Sequence, residues 1–322
     1  MTTTITTTSR PAAAAWRDPG LWADRAAAVG LVVLLIVFQL LDPDFLTLGN
    51  IRSMLLASAI LVVLSIGQAF VVATGGIDLS VASTMTLAAA LFGFGFAHGW
   101  GLLPCCVVAL VGGTVVGLVS GILIGHGRIT DFVVTLGALS AASGAALVIA
   151  DGKPVTVIDA GLLRLSAGGI GPIGWSVVVA AVLAVIAHVV LFRTRIGTHV
   201  LAAGGNPDAA TATGISVARI KVLVYGASGL LAGIAAILLV SRVGAAEPAS
   251  NTSFLLNSVA AVVLGGVSLA GGRGGIVGPV LGALLLTVLS NGLTMLGVSP
   301  FYQPLAVGVV VVAAAFLTRW RR

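Results

Sequence analysis

Long apolar stretches, separated by short polar segments, make up most of this sequence from Ala26 onward. A helix needs about 20 apolar residues to cross a hydrocarbon core of about 30 Å. In lipid an α-helix pairs its own backbone N–H and C=O groups, whereas open sheet edges and irregular loops leave such groups unpaired. Because 58% of the residues are hydrophobic and only 8% are charged, we predict an all-α polytopic membrane protein.

About ten transmembrane helices fit the chain. Their predicted positions are Ala26–Leu41, Met54–Thr74, Leu79–Ala97, Leu102–Ile124, Ile129–Ile149, Trp175–Phe192, Val222–Ser241, Leu255–Leu269, Ile276–Leu296 and Pro304–Leu317. The eighth is short and bounded by glycine, a pattern that a broken or re-entrant helix would also give. Residues 1–25 are rich in Thr and Ala without periodicity, so we predict a disordered cytoplasmic tail there and a transmembrane permease domain over residues 26–322.

The distribution of basic residues predicts the orientation, because Lys and Arg are enriched in cytoplasmic loops. With the N-terminus inside, ten spans place twelve of the sixteen Lys and Arg residues in the cytoplasm. These are Arg10, Arg17, Arg25, Arg128, Arg193, Arg195, Arg219, Lys221, Arg273, Arg319, Arg321 and Arg322. Both termini are therefore predicted to be cytoplasmic, and the net charge of +6 reflects membrane topology rather than nucleic-acid binding.

The longest polar interruption, Arg193–Lys221, lies between the sixth and seventh spans. Asn-Pro-Asp is typical of a helix start, the alanines that follow favour helix, and a glycine supplies a stop. We predict a short helix outside the bilayer, although a solvated connector would give the same composition. The residues of this predicted helix and its approaches are Gly204, Gly205, Asn206, Pro207, Asp208, Ala209, Ala210 and Gly214.

Three ordered motifs carry a family resemblance: TGGIDLS at Thr74–Ser80, GGNPDAATATGI at Gly204–Ile215 and VVLGGVSLAGGRGG at Val262–Gly275. Together they resemble the membrane permeases of simple-sugar ABC importers, the ribose-type group of a family that includes branched-chain amino-acid permeases. The resemblance implies import of a monosaccharide similar to ribose, xylose or galactose across a bacterial inner membrane. It also implies that the short helix is a coupling helix that docks on a separate cytoplasmic ATPase.

Two further partners follow from the resemblance. One is an extracytoplasmic solute-binding protein, which the loop Asp151–Gly174 could face, although a solvated loop would have the same composition. The other is a second permease subunit, identical or different, that would complete the pathway in the lipid bilayer.

The motifs that are missing argue against an enzyme. Neither Lys153 nor Lys221 follows a G-x-x-x-x-G-K-[ST] loop, so we expect ATP to bind and be hydrolysed on the partner chain, with no cofactor or metal here. The adjacent Cys105 and Cys106 form no metal-spaced cluster. An ion-coupled secondary transporter is the rival class, but it would need embedded carboxylates, and Asp78 is the one such candidate.

Polar residues within or beside the spans are candidates for a solute pathway or gate. Asp78 could cap the helix that follows it, or act as a gate. Neutral amides such as Gln68 could hydrogen-bond a sugar, or could instead hold helices together. The candidates are Gln68, Gly75, Gly76, Asp78, Ser80, Asn257 and Asn291.

Glycine recurs every four residues in the fourth span, at Gly113, Gly117, Gly121 and Gly125. Two further pairs with this spacing are Gly229 with Gly233 and Gly278 with Gly282. Such small-residue faces favour close helix approach, either within one chain or between two permease subunits.

Overall fold

The computed structural model describes residues 26–249 and 252–319, so the predicted tail lies outside the described residues. The helices are α1 Ala26–Leu41, α2 Leu48–Ala73, α3 Val81–Ala97, α4 Leu102–Gly125, α5 Asp131–Ile149, α6 Ala160–Ala167, α7 Trp175–Arg193, α8 Arg195–Gly205, α9 Pro207–Ala212, α10 Val217–Val243, α11 Thr252–Leu264, α12 Val277–Met295 and α13 Gln303–Arg319. A 3-10 turn, Pro300–Tyr302, precedes α13. Four two-residue strands complete the part of the chain that the structure describes: β1 Val155–Thr156, β2 Gly169–Ile170, β3 Ile173–Gly174 and β4 Ala245–Ala246.

Six of the described helices, α2, α4, α5, α7, α10 and α12, are long and apolar enough to cross a membrane. Shorter apolar helices, α1, α3, α11 and the segment Pro300–Ala313, occupy the predicted first, third, eighth and tenth spans. The prediction of an all-α polytopic membrane protein is thus confirmed, while the number ten stays a prediction. Helix α11 ends at Leu264 rather than at the expected Leu269, because Gly266, two residues later, adopts the left-handed conformation with φ of +77°.

The most extensive helix contact joins α4 to α10. A Cβ atom at Gly113 would lie 2.5 Å from the carbonyl oxygen of Gly229, and one at Gly117 would overlap the carbonyl oxygen of Tyr225. Backbone atoms cannot rotate aside, so glycine is required for this approach. We call this contact the glycine seam; on the α4 side it consists of Gly113, Gly117, Gly121 and Gly125.

The second glycine contact joins α11 to α12. Gly278 lies against the backbone of Gly265, and a Cβ atom at Gly282 would overlap the carbonyl oxygen of Ala261. The predicted glycine faces therefore pack within one chain, without the need for a second subunit.

Short elements link the helices at the end of the bundle opposite α9. Strand β1 pairs with β4 in an antiparallel ladder that joins the α5–α6 loop to the C-terminal end of α10. Asp159 caps α6 by accepting from the backbone N–H of Gly161 at 2.7 Å. Arg52, near the start of α2, donates to the carbonyl oxygen of Ala167. The segment predicted as the outer loop Asp151–Gly174 is thus a folded cap over this end.

Candidate functional site

The polar interruption folds into two helices, α8 and α9, rather than the one short helix predicted. Asn206 lies between them and caps α9, because its side-chain oxygen accepts from the backbone N–H of Ala209 at 2.9 Å. Pro207 occupies the first turn, where its missing N–H costs no hydrogen bond. Gly214, with φ of +86°, ends the segment in the left-handed conformation.

Helix α9 presents nearly all of its surface to solvent. Only Ala210 is buried, at 4% exposure, and its carbonyl oxygen accepts from the backbone N–H of Ile215 at 3.0 Å. The exposed residues of α9 are Pro207, Asp208, Ala209, Thr211 and Ala212. A helix of six residues is unstable alone, so this one depends on its caps and on the single anchor at Ala210.

Glycines from three distant segments meet at the C-terminal end of α8. The N–H of Gly272 donates to the carbonyl oxygen of Ala73 at 3.0 Å. A Cβ atom at Gly204 would overlap that same carbonyl oxygen, and one at Gly271 would lie 2.8 Å from the nitrogen of Gly75. We call these five residues the glycine junction. It places α8 in direct backbone contact with the α2–α3 turn and the α11–α12 loop.

The turn Thr74–Ser80 begins at this junction. Gly75, with φ of +73°, ends α2 in the left-handed conformation, and the N–H of Gly76 donates to the carbonyl oxygen of Val71 at 3.1 Å. The side chain of Thr74 is buried and donates to the same Val71 carbonyl at 2.7 Å. The turn is therefore ordered by its own backbone as well as by its neighbours.

Asp78 is buried, with 4% exposure, and all of its described hydrogen bonds are to neutral donors. One carboxylate oxygen accepts from the backbone N–H of Ser80 at 2.9 Å and from its hydroxyl at 2.6 Å. The other oxygen accepts from the hydroxyl of Ser228, on α10, at 3.0 Å. Asp78 thus orders the residue that starts α3 and also links the turn to α10.

A second carboxylate beside the turn was not found from the sequence. Asp131, in the first turn of α5, lies 2.6 Å from the ammonium of Lys221 on α10. The two are 90 positions apart in the chain, so no local pattern connects them. The sequence offered only one signal for this pair. Each residue lies where a polar segment meets an apolar span, and charged residues often mark the ends of spans.

The three predicted amides have different surroundings. Asn291 exchanges two hydrogen bonds with Asn50, at 2.9 and 3.0 Å, and so ties α12 to the start of α2. Asn257 is half-buried on α11. Gln68, in the middle of α2, is fully buried, and neither its side-chain oxygen nor its nitrogen has a hydrogen-bond partner among the described residues. Gln68 is therefore a fully buried candidate with free hydrogen-bonding capacity.

No group of three or more His, Cys, Asp or Glu side chains in residues 26–249 and 252–319 could hold a metal ion.

Comparisons of the amino-acid sequence with known proteins place this chain among transport permeases. Residues 50–315 match the family described as "Branched-chain amino acid transport system / permease component". The ribose import permease protein RbsC of Bacillus subtilis (strain 168) is 38% identical over 293 residues, which cover 90% of this chain and 91% of that protein. RbsC of Escherichia coli (strain K12) is 36% identical, with coverage of 91% and 93%. The L-arabinose ABC transporter permease protein AraH of Azospirillum brasilense is 33% identical, with coverage of 91% and 87%.

Proposed function

Because this chain belongs to the family of branched-chain amino acid transport system permease components, we propose that it is the membrane permease of an ABC importer for a monosaccharide. It is a multi-pass protein of the bacterial plasma membrane and not itself an enzyme. A separate ATPase subunit hydrolyses ATP, and an extracytoplasmic solute-binding protein delivers the sugar. The relatives described as ribose and L-arabinose permeases support a simple sugar as the solute.

The exposure of α9 is the observation that carries the coupling role. A six-residue helix that buries one side chain contributes little to the fold, so its capped and ordered conformation fits a docking surface for another subunit. Its exposed side chains are small or short, which suits insertion into a groove. A displacement of α8 and α9 would be transmitted to the α2–α3 turn through the backbone contacts of the glycine junction.

The spans and their orientation complete the proposal. Six long and four shorter apolar helices together make ten spans, with both termini and α9 in the cytoplasm. A cysteine at Ala209 should then react with an impermeant thiol reagent only from the cytoplasmic side, and one at Ala160 only from outside. Labelling of both from one side would contradict this orientation.

Gln68 is our candidate for direct contact with the solute. A buried amide without a partner loses hydrogen bonds that it would make in water, and sugar hydroxyls can supply both a donor and an acceptor. Asn291 is a weaker candidate because Asn50 already satisfies its amide. Two copies of the permease, or this chain with a related one, would line the pathway and alternate their access between the two sides.

The direct test is reconstitution with the cognate ATPase and binding protein in lipid vesicles. We expect ATP-dependent uptake of radiolabelled ribose or a related monosaccharide, and none without the ATPase. Uptake of leucine in place of every sugar would show a branched-chain amino-acid permease. Uptake driven by a proton or sodium gradient without ATP would instead show a secondary transporter.

A further inference from the structure

We propose that Asp131 and Lys221 are positioning residues for transport: their ion pair, which we call the latch, holds the α2–α3 turn closed against α10 until the coupling segment moves. The proposal rests on the proposed permease function for the meaning of that movement. The holding itself is a property of the resting chain and can be tested without a sugar.

The geometry of the pair is that of a partly buried, direct contact. The ammonium of Lys221 lies 2.6 Å from one carboxylate oxygen of Asp131, and the two side chains are only 13% and 19% exposed. Asp131 is in the first turn of α5, where the helix dipole favours an anion. Lys221 is the fifth residue of α10, and Asp131 is its salt-bridge partner among the described residues.

The latch lies directly over the turn. A Cβ atom at Gly76 would lie 2.6 Å from the Asp131 carboxylate, 2.7 Å from the hydroxyl of Tyr225 and 3.1 Å from the ammonium of Lys221. Three polar groups from two helices thus pack against Gly76. Only a residue without a side chain fits beneath them.

The next residue of the turn is held by the same two helices. The carbonyl oxygen of Ile77 accepts from the hydroxyl of Tyr225, on α10, at 3.4 Å. The hydroxyl of Thr135, on α5, lies 3.2 Å from the same oxygen. Lys221, Tyr225 and Ser228 follow each other at helical spacing on α10 and all face the turn. The ion pair therefore links α5 to α10 at the point where both helices contact the turn.

The start of the turn contacts the coupling segment. Gly204, at the end of α8, lies against the carbonyl oxygen of Ala73, immediately before the turn. The turn thus contacts α8 where it begins and the latch at Gly76. A displacement of α8 must either be absorbed by the junction or carry the turn away from the latch.

An ion pair suits this task better than an apolar contact of the same shape. Well-packed apolar side chains often stabilise a buried site as much as an ion pair does, so fold stability alone does not explain the charges. At an aqueous boundary, water can hydrate the two charged groups when they separate. The same ion pair can then form again with the same geometry. A latch that must open and close in every cycle needs that reversibility.

The test uses a buried reporter cysteine in the turn. Thr74 is 4% exposed, so Thr74→Cys, in a chain with Cys105 and Cys106 replaced by alanine, should react slowly with an impermeant thiol reagent in inside-out vesicles. When the turn opens and recloses faster than the reagent reacts, the labelling rate follows the open population. With Asp131→Asn the rate should rise about tenfold.

Two controls separate the latch from a general loss of structure. Asp151→Asn removes the partner of Lys153 in an ion pair whose side chains are 88% and 78% exposed, at the other end of the bundle, and should leave the labelling rate unchanged. The exchange Asp131→Lys with Lys221→Asp restores an attractive pair and should slow labelling again. A merely destabilised fold would not regain protection on reversal of both charges.

The outcomes decide between clear alternatives. An unchanged rate in Asp131→Asn, or no recovery in the exchange variant, would overturn the latch. In the assembled transporter, ATP should raise the labelling of Thr74→Cys, and the lack of any rise would refute release by the coupling segment. Failure to import any sugar would refute the proposed function, while the labelling of the resting permease would still report on the latch.

Discussion

Replacement of Gly204 by alanine tests the mechanical contact at the glycine junction. The added Cβ atom would overlap the carbonyl oxygen of Ala73 and lie 2.8 Å from the nitrogen of Gly272. Both are backbone atoms, so no rotamer change can relieve the clash. The helix and the turn must move apart, and the hydrogen bond between Gly272 and Ala73 must lengthen.

The magnitude follows from three terms. Overpacking costs about 1–3 kcal/mol, and a weakened hydrogen bond costs a further ~0.5–1.5 kcal/mol. Alanine is favoured over glycine within a helix by about 1 kcal/mol, which offsets part of the loss. The net cost to the closed junction is about 2 kcal/mol, which corresponds to roughly a thirtyfold change in its population.

Sugar uptake by the reconstituted transporter is the assay, with the neighbouring glycine as a matched control. The nearest atom to a Cβ at Gly205 is the Cα of Gly272 at 3.5 Å, an ordinary contact, so Gly205→Ala should transport like the unaltered chain. Gly204→Ala should lose about tenfold or more of its uptake while the ATPase still copurifies, because α9 is untouched. Equal uptake by the two variants would refute the reasoning.

Three other substitutions have defined outcomes. Ala209→Glu with Ala212→Glu adds charge to the exposed face of α9 and should abolish copurification of the ATPase at normal membrane levels; retained copurification would refute docking through α9. Asp78→Asn should keep most of the uptake, since an amide can preserve the hydrogen bonds to Ser80 and Ser228, and loss of uptake at normal abundance would indicate that the charge itself is needed. Asn291→Leu leaves the side-chain oxygen of Asn50 without its donor and should lower stability by about 1–3 kcal/mol, measured as earlier thermal unfolding in detergent, whereas an unchanged transition would show that the amide pair contributes nothing.

Apolar length and glycine spacing were sufficient to predict much of the architecture. The long spans follow from the need to bury about 20 apolar residues, and the stripe that starts at Gly113 predicted a close helix contact. Its partner helix could not be inferred, because Gly229 and Gly233 are only one of several small-residue pairs. Tertiary packing, not local pattern, chooses among them.

The site was predictable only where its signals are local. Asn206 and Pro207 mark the start of α9 by capping chemistry, which acts within three residues. A helix of six residues is too short for periodicity to reveal its inner face, so the burial of Ala210 could not be foreseen. Likewise Gln68 and Asn291 are both amides in apolar runs, and only the fold shows that one is paired and the other is not.

The glycine seam also has a consequence for biogenesis. Roughly 90 residues separate the end of α4 from the start of α10, so at about 5–20 residues per second the ribosome reaches the start of α10 some 5–18 s after it completes α4. Throughout that interval the glycine face of α4 lies in the membrane without its partner. In a chain that ends before α10, the glycine face of α4 therefore remains free to contact other newly inserted helices. We expect such truncated chains to be degraded by membrane quality control rather than to accumulate.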